Sequence, residues 1–213
     1  MFTWISNNIG GPAILIFIGA LISATGAIWA ARQQIASERE LKQKNEEITE
    51  LSKQISYSIT GGDSFCYLAF QLPENCSNNN AMAVIVHKGE YPLYDVGIRI
   101  VDLAKFARYV KGKEKLSFED TQKAEKSIKI GNISPSQATF LGKWSLPQAN
   151  DANYNVFISA RNGFFTELIR IKCIDDKWVS AYKVDTGPGK ETKLLYEKIH
   201  EDFPKNKEGK IDW

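Results

Sequence analysis

The stretch PAILIFIGALISATGAIWAA at residues 12–31 decides how this chain is organised. Its 20 residues carry no charge, and no charged residue precedes them. As an α-helix it would be about 30 Å long, which matches the hydrocarbon thickness of a lipid bilayer. We therefore predict that residues 1–31 form a single-pass membrane anchor and that the lipid bilayer is the first partner of this chain.

A secretory signal peptide is the alternative interpretation of this N-terminus, because it also has an apolar core. Such a peptide begins with a basic region, whereas MFTWISNNIGG at residues 1–11 contains no Lys or Arg. The sequence therefore favours an anchor that is not cleaved.

The basic residues that flank the anchor predict its orientation. Four of them follow it closely: Arg32, Arg39, Lys42 and Lys44. Basic flanks stay in the cytoplasm during membrane insertion, and neighbouring acidic residues contribute little to this rule. We predict a cell (inner) membrane protein with its N-terminus outside and its soluble domain in the cytoplasm.

Four small residues lie on one face of the predicted anchor helix, at spacings of four, three and four: Gly19, Ser23, Gly26 and Ala30. Small residues at this spacing let two helices approach closely, so they favour self-association of the anchor. The alternative is that they have no role, since Gly and Ala are common in membrane helices.

A helical stalk is predicted at residues 32–56, which contain neither Pro nor Gly. Its apolar residues repeat at spacings of seven, three and four, as coiled-coil a and d positions do: Leu41, Ile48, Leu51 and Ile55. Two hypotheses stay open. The stalks form a parallel homo-oligomer aided by confinement in the membrane, or each stalk lies on the following domain as an amphipathic helix.

Residues 57–184 change to short apolar segments separated by turns, which is typical of an antiparallel β-sandwich. In residues 94–103, Val96, Ile98 and Ile100 alternate with other residues, the period of a strand buried on one face. The predicted strands are residues 65–72, 81–87, 94–103, 127–130, 140–146, 154–160, 164–173 and 178–184.

Turn signals and two short helices complete this predicted domain. Arg161-Asn162-Gly163 and Asp175-Asp176-Lys177 are expected to be tight hairpins between neighbouring strands. Short helices are predicted at residues 104–110 and 118–126, and Ser117 with Asp120 forms a candidate capping box at the second.

The order of short strands and the turn IGNISP at residues 130–135 resemble the immunoglobulin-like and fibronectin III-like sandwiches of many bacterial surface and membrane proteins. This resemblance covers about residues 57–184 and implies a mainly β sandwich architecture. The Cys-Trp-Cys pattern of true immunoglobulin domains is absent, and an architecture of this kind does not specify a function.

Residues 185–213 are predicted to be a C-terminal extension. Leu194–Ile199 is expected there as a helix or a last strand, and Phe203 and Trp213 are candidates for docking on the domain.

The three cysteines are an odd number, which does not favour a disulfide framework. Cys66 and Cys76 are the candidate pair if the domain lies outside the cytoplasm, and they are expected to be reduced in the cytoplasm. Asp63, Asp95 and Asp102 are a weak candidate for a calcium site at one end of the sandwich. We predict no metal and no cofactor.

Motifs for common enzyme chemistry are missing from the sequence. GxSxG, HExxH, GxxxxGK[ST] and GxGxxG are all absent, and neither of the two histidines lies near a nucleophile in a recognisable setting. We therefore predict a non-enzymatic protein without catalytic residues.

The best candidate for a partner surface is KFARYVKGKEK at residues 105–115, whose basic residues are Lys105, Arg108, Lys111, Lys113 and Lys115. Such a basic patch could contact anionic lipid or nucleic acid, but it is also typical of a solvated connector that covers a sandwich edge. Whole-chain charge is only +2, from 27 basic and 25 acidic residues, so a nucleic-acid partner is not expected.

These features concern placement and association rather than bond chemistry. The leading prediction is a membrane-tethered interaction or scaffold module with an unknown protein partner. The alternative is a membrane-associated sensor or effector, for which we expect a pocket in the sandwich with convergent polar groups.

Overall fold

One long helix, α1 (Gly11–Thr60), begins the computed structural model, which describes residues 11–113, 117–147, 150–187 and 192–213. Residues 11–31 of the predicted anchor and the whole predicted stalk are parts of this continuous helix, whereas residues 1–10 of the anchor lie outside the described residues. The N-terminal part of the helix is long and apolar enough to cross a membrane. The chain divides into two units, residues 1–55 and residues 56–213, so the last turn of α1 belongs to the second unit.

In the described part of the second unit, nine antiparallel strands in two sheets predominate, which confirms the prediction of a mainly β domain. The first sheet has the order β1-β2-β5, and the second has the order β4-β3-β6-β7-β8-β9. The strands are β1 (Phe65–Gln71), β2 (Asn80–Lys88), β3 (Leu93–Asp102), β4 (Glu125–Ile133), β5 (Ala138–Ser145), β6 (Asp151–Ala160), β7 (Gly163–Ile174), β8 (Lys177–Thr186) and β9 (Leu194–Ile199).

The two sheets share one hydrophobic core because each strand places alternate residues on its inner face. Leu68 and Ile85 from the first sheet are fully buried with Val156 and Ile169 from the second. In β3 the predicted alternation is confirmed, since Ile98 and its neighbours two residues away are buried. Two sheets that bury facing apolar surfaces in this way form a sandwich.

Both predicted hairpins are present. Asp175 and Asp176 have positive φ angles of 48° and 61°, as a two-residue type I′ turn requires. Arg161 and Asn162 connect β6 to β7, and Gly163, with a φ of 145°, pairs with Ala160 at the start of β7.

Two short helices, α2 (Leu103–Val110) and α3 (Phe118–Lys123), lie between β3 and β4. The predicted capping box is confirmed: the Asp120 N–H donates to Ser117 Oγ at 3.2 Å, and the Ser117 N–H donates to Asp120 Oδ2 at 3.3 Å. The second helix is shorter than predicted because the chain from Glu125 onward pairs with β3 instead.

The segment at 185–213, predicted as an extension, adds a strand and a small core. β9 pairs with β8, so the alternative of a helix at Leu194–Ile199 is wrong. Phe203 and Ile211 are buried against Val179 on the outer side of β8, and Trp213 packs on the same cluster.

Cys76 and Cys173 form a disulfide with a Cα–Cα distance of 6.0 Å, and Cys66 is a buried thiol. The candidate pair of Cys66 and Cys76 is therefore wrong. Cys66 lies at the start of β1, whereas Cys76 lies in the loop beyond the other end of that strand, beside the end of β7. The disulfide joins the β1–β2 loop to the six-stranded sheet.

Candidate functional site

The outer face of the six-stranded sheet carries an apolar groove, which we call the sheet groove. Strand register creates it by aligning two cross-strand rows. One row contains Lys129, Gly97, Ser159 and Phe164, and the other contains Ser127, Arg99, Phe157 and Thr166. Gly97 and Ser159 have small side chains. The sheet surface is therefore recessed at these two positions, between the aromatic and the basic residues.

The side chains around the sheet groove are of types that are common at protein–protein interfaces. Phe164 exposes 68% of its surface. The Arg99 guanidinium lies 4.6 Å from the Phe157 ring centroid, and it is also 3.7 Å from Glu125 Oε1. Exposed aromatic residues beside an arginine stacked on a ring are enriched at interface centres. The groove can therefore hold an apolar side chain near positive charge.

A second concavity, the inter-sheet cleft, opens where β5 faces the ends of β3 and β4 and the two short helices. Its charged lining consists of Asp102, Lys105, Lys123, Glu125, Lys126 and Lys143. Its apolar and aromatic lining includes Ile100, Trp144 and Tyr154. Four lysines and two carboxylates thus meet around a largely buried floor.

The lysines of the inter-sheet cleft differ in their partners. Lys105 Nζ is 3.5 Å from Asp102 Oδ2, whereas Lys126 Nζ lies 4.6 Å from the Trp144 ring centroid. Within the described ranges, neither Lys126 nor Lys143 has a carboxylate oxygen within 4.0 Å. These two ammonium groups can therefore take an anion without first breaking an ion pair.

Tyr154 adds a hydroxyl group to the floor of the cleft. Its oxygen accepts a hydrogen bond from Trp144 Nε1 at 3.2 Å. Burial, together with the charge of Asp102, raises the pKa of Tyr154 to about 12, although the bond from Trp144 opposes this shift. The phenol therefore stays protonated at neutral pH and keeps a hydrogen that it can donate.

A third cluster, the helix clasp, holds the last turn of α1 within the second unit. The Tyr94 hydroxyl donates to Ser58 O at 2.9 Å, and Arg161 Nη1 donates to Ile59 O at 3.3 Å. Arg161 Nη2 also donates to Asp95 Oδ2 at 2.8 Å. Carbonyl groups at a helix C-terminus lack partners within the helix, and a cation favours the negative end of the helix dipole. Side chains from the start of β3 and from the β6–β7 hairpin satisfy these carbonyls here.

The chain that leaves the helix is held by the neighbouring residue of the same hairpin. Asn162 Nδ2 donates to Gly62 O at 3.0 Å and to Ser64 O at 2.7 Å. Ser64 Oγ accepts from the Tyr91 N–H at 3.0 Å, and a Cβ at Gly89 would overlap Ser64. The helix clasp thus joins three separate segments of the sequence.

The predicted basic patch is split in the structure. Lys105 and Arg108 lie on α2, Lys111 and Lys113 follow it, and Lys115 lies outside the described residues. Lys113 pairs with Asp120, whose pKa the Lys113 and Ser117 hydrogen bonds lower to about 2. Of the described residues of this patch, only Lys105 lines the inter-sheet cleft.

The sequence did not predict the other three lysines of the inter-sheet cleft, because they are distant from Lys105 in the sequence. Lys123, Lys126 and Lys143 meet Lys105 only through the pairing of β4 with β3 and the packing of β5 over them. The sheet groove was missed for the same reason, since its residues come from four strands.

The predicted self-association residues lie on α1. At Gly19 and Gly26, apart from the adjacent residues and the backbone of the helix itself, no described atom lies within 4 Å of the position that a Cβ would take. Ser23 and Ala30 are exposed on the same helix. The stalk residues each expose half or more of their surface: Leu41, Ile48, Leu51 and Ile55. Both apolar faces are thus open in the single chain.

The weak calcium site is not formed. Asp95 and Asp102 lie at opposite ends of β3, where Asp95 pairs with Arg161 and Asp102 caps α2. Ligand atoms of Cys76, Cys173 and Asp176 do lie within 4.8 Å of one another, but the two sulfurs are bonded to each other and offer no thiolates.

A buried carboxyl group joins the two sheets. Glu167 is fully buried, and its Oε2 accepts from the Leu68 N–H at 2.8 Å. Burial raises the pKa of Glu167 well above its ordinary value, although the Leu68 hydrogen bond lowers it. Burial thus favours the uncharged form of the carboxyl group, and its bond to the Leu68 N–H links β7 to β1.

No protein family model, characterised protein or solved structure matches this chain. The fold defines a class nonetheless: a two-sheet antiparallel β domain that follows a long helix with an apolar, membrane-spanning length of sequence.

Proposed function

We propose that this chain is a non-enzymatic, single-pass membrane protein whose β domain binds a partner protein. The observation that carries the proposal is the sheet groove, where Phe164 is exposed beside Phe157 and the stacked Arg99. A contiguous exposed apolar surface with these residue types favours a protein interface.

The partner that fits the sheet groove is a protein segment with an apolar side chain flanked by carboxylates. Lys129 lies on the edge strand β4, and Arg99 lies on the neighbouring strand β3. Positive charge there attracts acidic partners and disfavours basic ones. Within the described residues, Lys129 has no carboxylate oxygen within 4.0 Å, so its charge is available to a partner.

Site-specific photo-crosslinking in native membranes tests this proposal. A photoreactive residue replacing Phe164 is expected to capture one protein, and Arg99→Glu with Lys129→Glu is expected to abolish the adduct. Phe140 is the matched control, because it is an aromatic residue on the other sheet with 59% of its surface exposed. Equal capture from positions 164 and 140, or capture that survives the charge reversal, would contradict the proposal.

Self-association through α1 is the second part of the proposal. The open small-residue face at Gly19 and Gly26 and the exposed stalk residues support it. An oligomer would present several grooves to one partner, and such multivalent contact strengthens weak binding.

For orientation we propose a cytoplasmic β domain, supported by the basic residues that follow the anchor. The Cys76–Cys173 disulfide is the observation against this orientation, because stable disulfides are rare in the cytoplasm. In the cytoplasm the two sulfurs would be a thiol pair, so their state in cells also reports the compartment.

We further propose kinship of architecture with immunoglobulin-like and fibronectin III-like sandwiches. The support is the sheet order, in which β1-β2-β5 faces β4-β3-β6-β7. Strands 2 and 5 and strands 3 and 6 pair across the sequence, as in Greek-key sandwiches, while β8 and β9 extend the second sheet.

A sensor that binds a small ligand is the second candidate function. The inter-sheet cleft favours it, since convergent polar groups in a concave site are the feature expected of a ligand-binding domain. The helix clasp would then connect the β domain to the last turn of α1.

A further inference from the structure

We propose that the inter-sheet cleft binds the phosphate group of a phosphate monoester, with Lys126 and Lys143 as its principal ligands. This inference rests on the second candidate function, a ligand-binding domain, and names its ligand class.

The charge of the lining selects a dianion. The described lining carries four lysine ammonium groups and two carboxylates, an excess of two positive charges. Outside the lining, Asp120 pairs with Lys123 at 3.9 Å and Arg99 pairs with Glu125 at 3.7 Å, so these two outer groups carry opposite charges. A phosphate monoester carries a charge of about −1.5 to −2 at pH 7, which would neutralise this excess. A monoanion would leave part of this positive charge without a counter-charge.

The unpaired donors favour an oxygen-rich anion. In the described part of the chain, Lys126 and Lys143 lack a carboxylate partner, whereas Asp102 already occupies Lys105. The two unpaired lysines come from β4 and β5, on different sheets, so a ligand between them would bridge the two edges of the sandwich.

The floor supplies a neutral donor and an aromatic wall. Only 2% of the Tyr154 surface is exposed. Its hydroxyl oxygen accepts the bond from Trp144, so the hydroxyl hydrogen is not used in that bond. Its O–H can donate to a phosphate oxygen, and hydrogen bonds to charged acceptors are stronger than neutral ones. The Trp144 ring, under Lys126, offers a surface for the organic part of the ester.

The test uses the full chain in zwitterionic detergent, titrated with phenyl phosphate. Binding is followed by the NMR signal of the Trp144 indole N–H, which Trp144→Phe identifies. We expect a saturable shift in the wild type and at least tenfold weaker binding in Lys126→Gln with Lys143→Gln. Lys126→Arg with Lys143→Arg is expected to retain binding, because both donors keep their charge.

The matched control is Lys198→Gln on β9, an exposed lysine at the opposite edge of the six-stranded sheet, which should bind like the wild type. No saturable shift in the wild type, or equal weakening by the control, would overturn the proposal. Unfolding midpoints of all variants are compared, so that lost binding is not mistaken for lost folding.

Dihexanoyl phosphatidic acid distinguishes the source of the phosphate. Tighter binding than phenyl phosphate would assign the cleft to a lipid headgroup, and weaker binding would assign it to a soluble ester. Crosslinking at position 164 is measured in the same Lys126 and Lys143 variants. If it persists while no phosphate binds, the cleft proposal fails and the partner-binding proposal stands.

Discussion

Asn162 sits at the tip of the β6–β7 hairpin and makes two hydrogen bonds to the chain that leaves α1. We predict that Asn162→Ala destabilises the β domain by about 1–3 kcal/mol, because two half-buried carbonyl groups lose their donor. Urea unfolding of the full chain in detergent measures the change. Asn153→Ala is the control, since that amide contacts only the exposed Asp151 carboxylate. An equal loss of stability in Asn162→Ala and Asn153→Ala would contradict the stabilising role of the helix clasp.

Glu167 gives a prediction about pH. Its pKa is raised in the folded protein, so the stability it supports is complete below the pKa of the unfolded chain and falls as the pH rises toward the folded value. Glu167→Gln keeps a carbonyl for the Leu68 N–H and does not ionise. We predict that the free energy of unfolding of Glu167→Gln, relative to that of the wild type, increases above about pH 4.5 by up to about 1.4 kcal/mol per pH unit. Parallel stability curves for the two proteins would contradict this.

At the scale of single residues, the sequence predicted local backbone geometry better than it predicted contacts between residues that are distant in sequence. The hairpin at Arg161-Asn162-Gly163 and the capping box at Ser117 were predictable because each depends on neighbours in sequence. The bond from Asn162 to Gly62 spans 100 positions, and no local pattern indicates it. Glu167 was equally hidden, since a carboxyl group in an apolar strand is usually expected at the surface.

Among the described elements, α1 exposes the small residues of its predicted membrane segment and the apolar residues of its stalk. We predict that Gly19→Ile with Gly26→Ile weakens self-association in membranes by about tenfold, equivalent to about 1.4 kcal/mol, because bulky side chains prevent close helix approach. The control pair is Ala13→Ile with Ala24→Ile, which also creates two isoleucines but away from the small-residue face. Chemical crosslinking at fixed protein-to-lipid ratio measures the dimer. Only monomer in the unmodified chain would refute self-association.

The elements themselves were largely predictable from periodicity, and their partners were not. The alternation in β3 indicates a strand with one buried face, and the stalk part of α1 at residues 32–56 contains neither Pro nor Gly. The boundary between α3 and β4 was misplaced because the residues from Glu125 onward take their structure from β3. Pairing of β2 with β5 and of β3 with β6 depends on the whole fold, and the groove and cleft depend on that pairing.

At the scale of the whole molecule, the disulfide closes a span of 97 residues between the two sheets. We predict that Cys173→Ser lowers the free energy of unfolding by about 2–5 kcal/mol under oxidising conditions, because the unfolded chain regains the freedom that the crosslink removes. Under reducing conditions the variant and the wild type should be alike. A difference that persists in reductant would indicate lost packing rather than a lost crosslink.

The membrane anchor is the feature on which the whole account depends, and thiol labelling in intact cells tests it most directly. Single cysteines are placed by Ser6→Cys and by Lys207→Cys in a chain with Cys66→Ala, Cys76→Ser and Cys173→Ser, and a membrane-impermeant maleimide is added before and after lysis. The account predicts labelling at position 6 in intact cells and at position 207 only after lysis, with both variants in the membrane fraction. Labelling of position 207 in intact cells would reverse the orientation, and recovery of the chain in the soluble fraction would contradict the anchor itself.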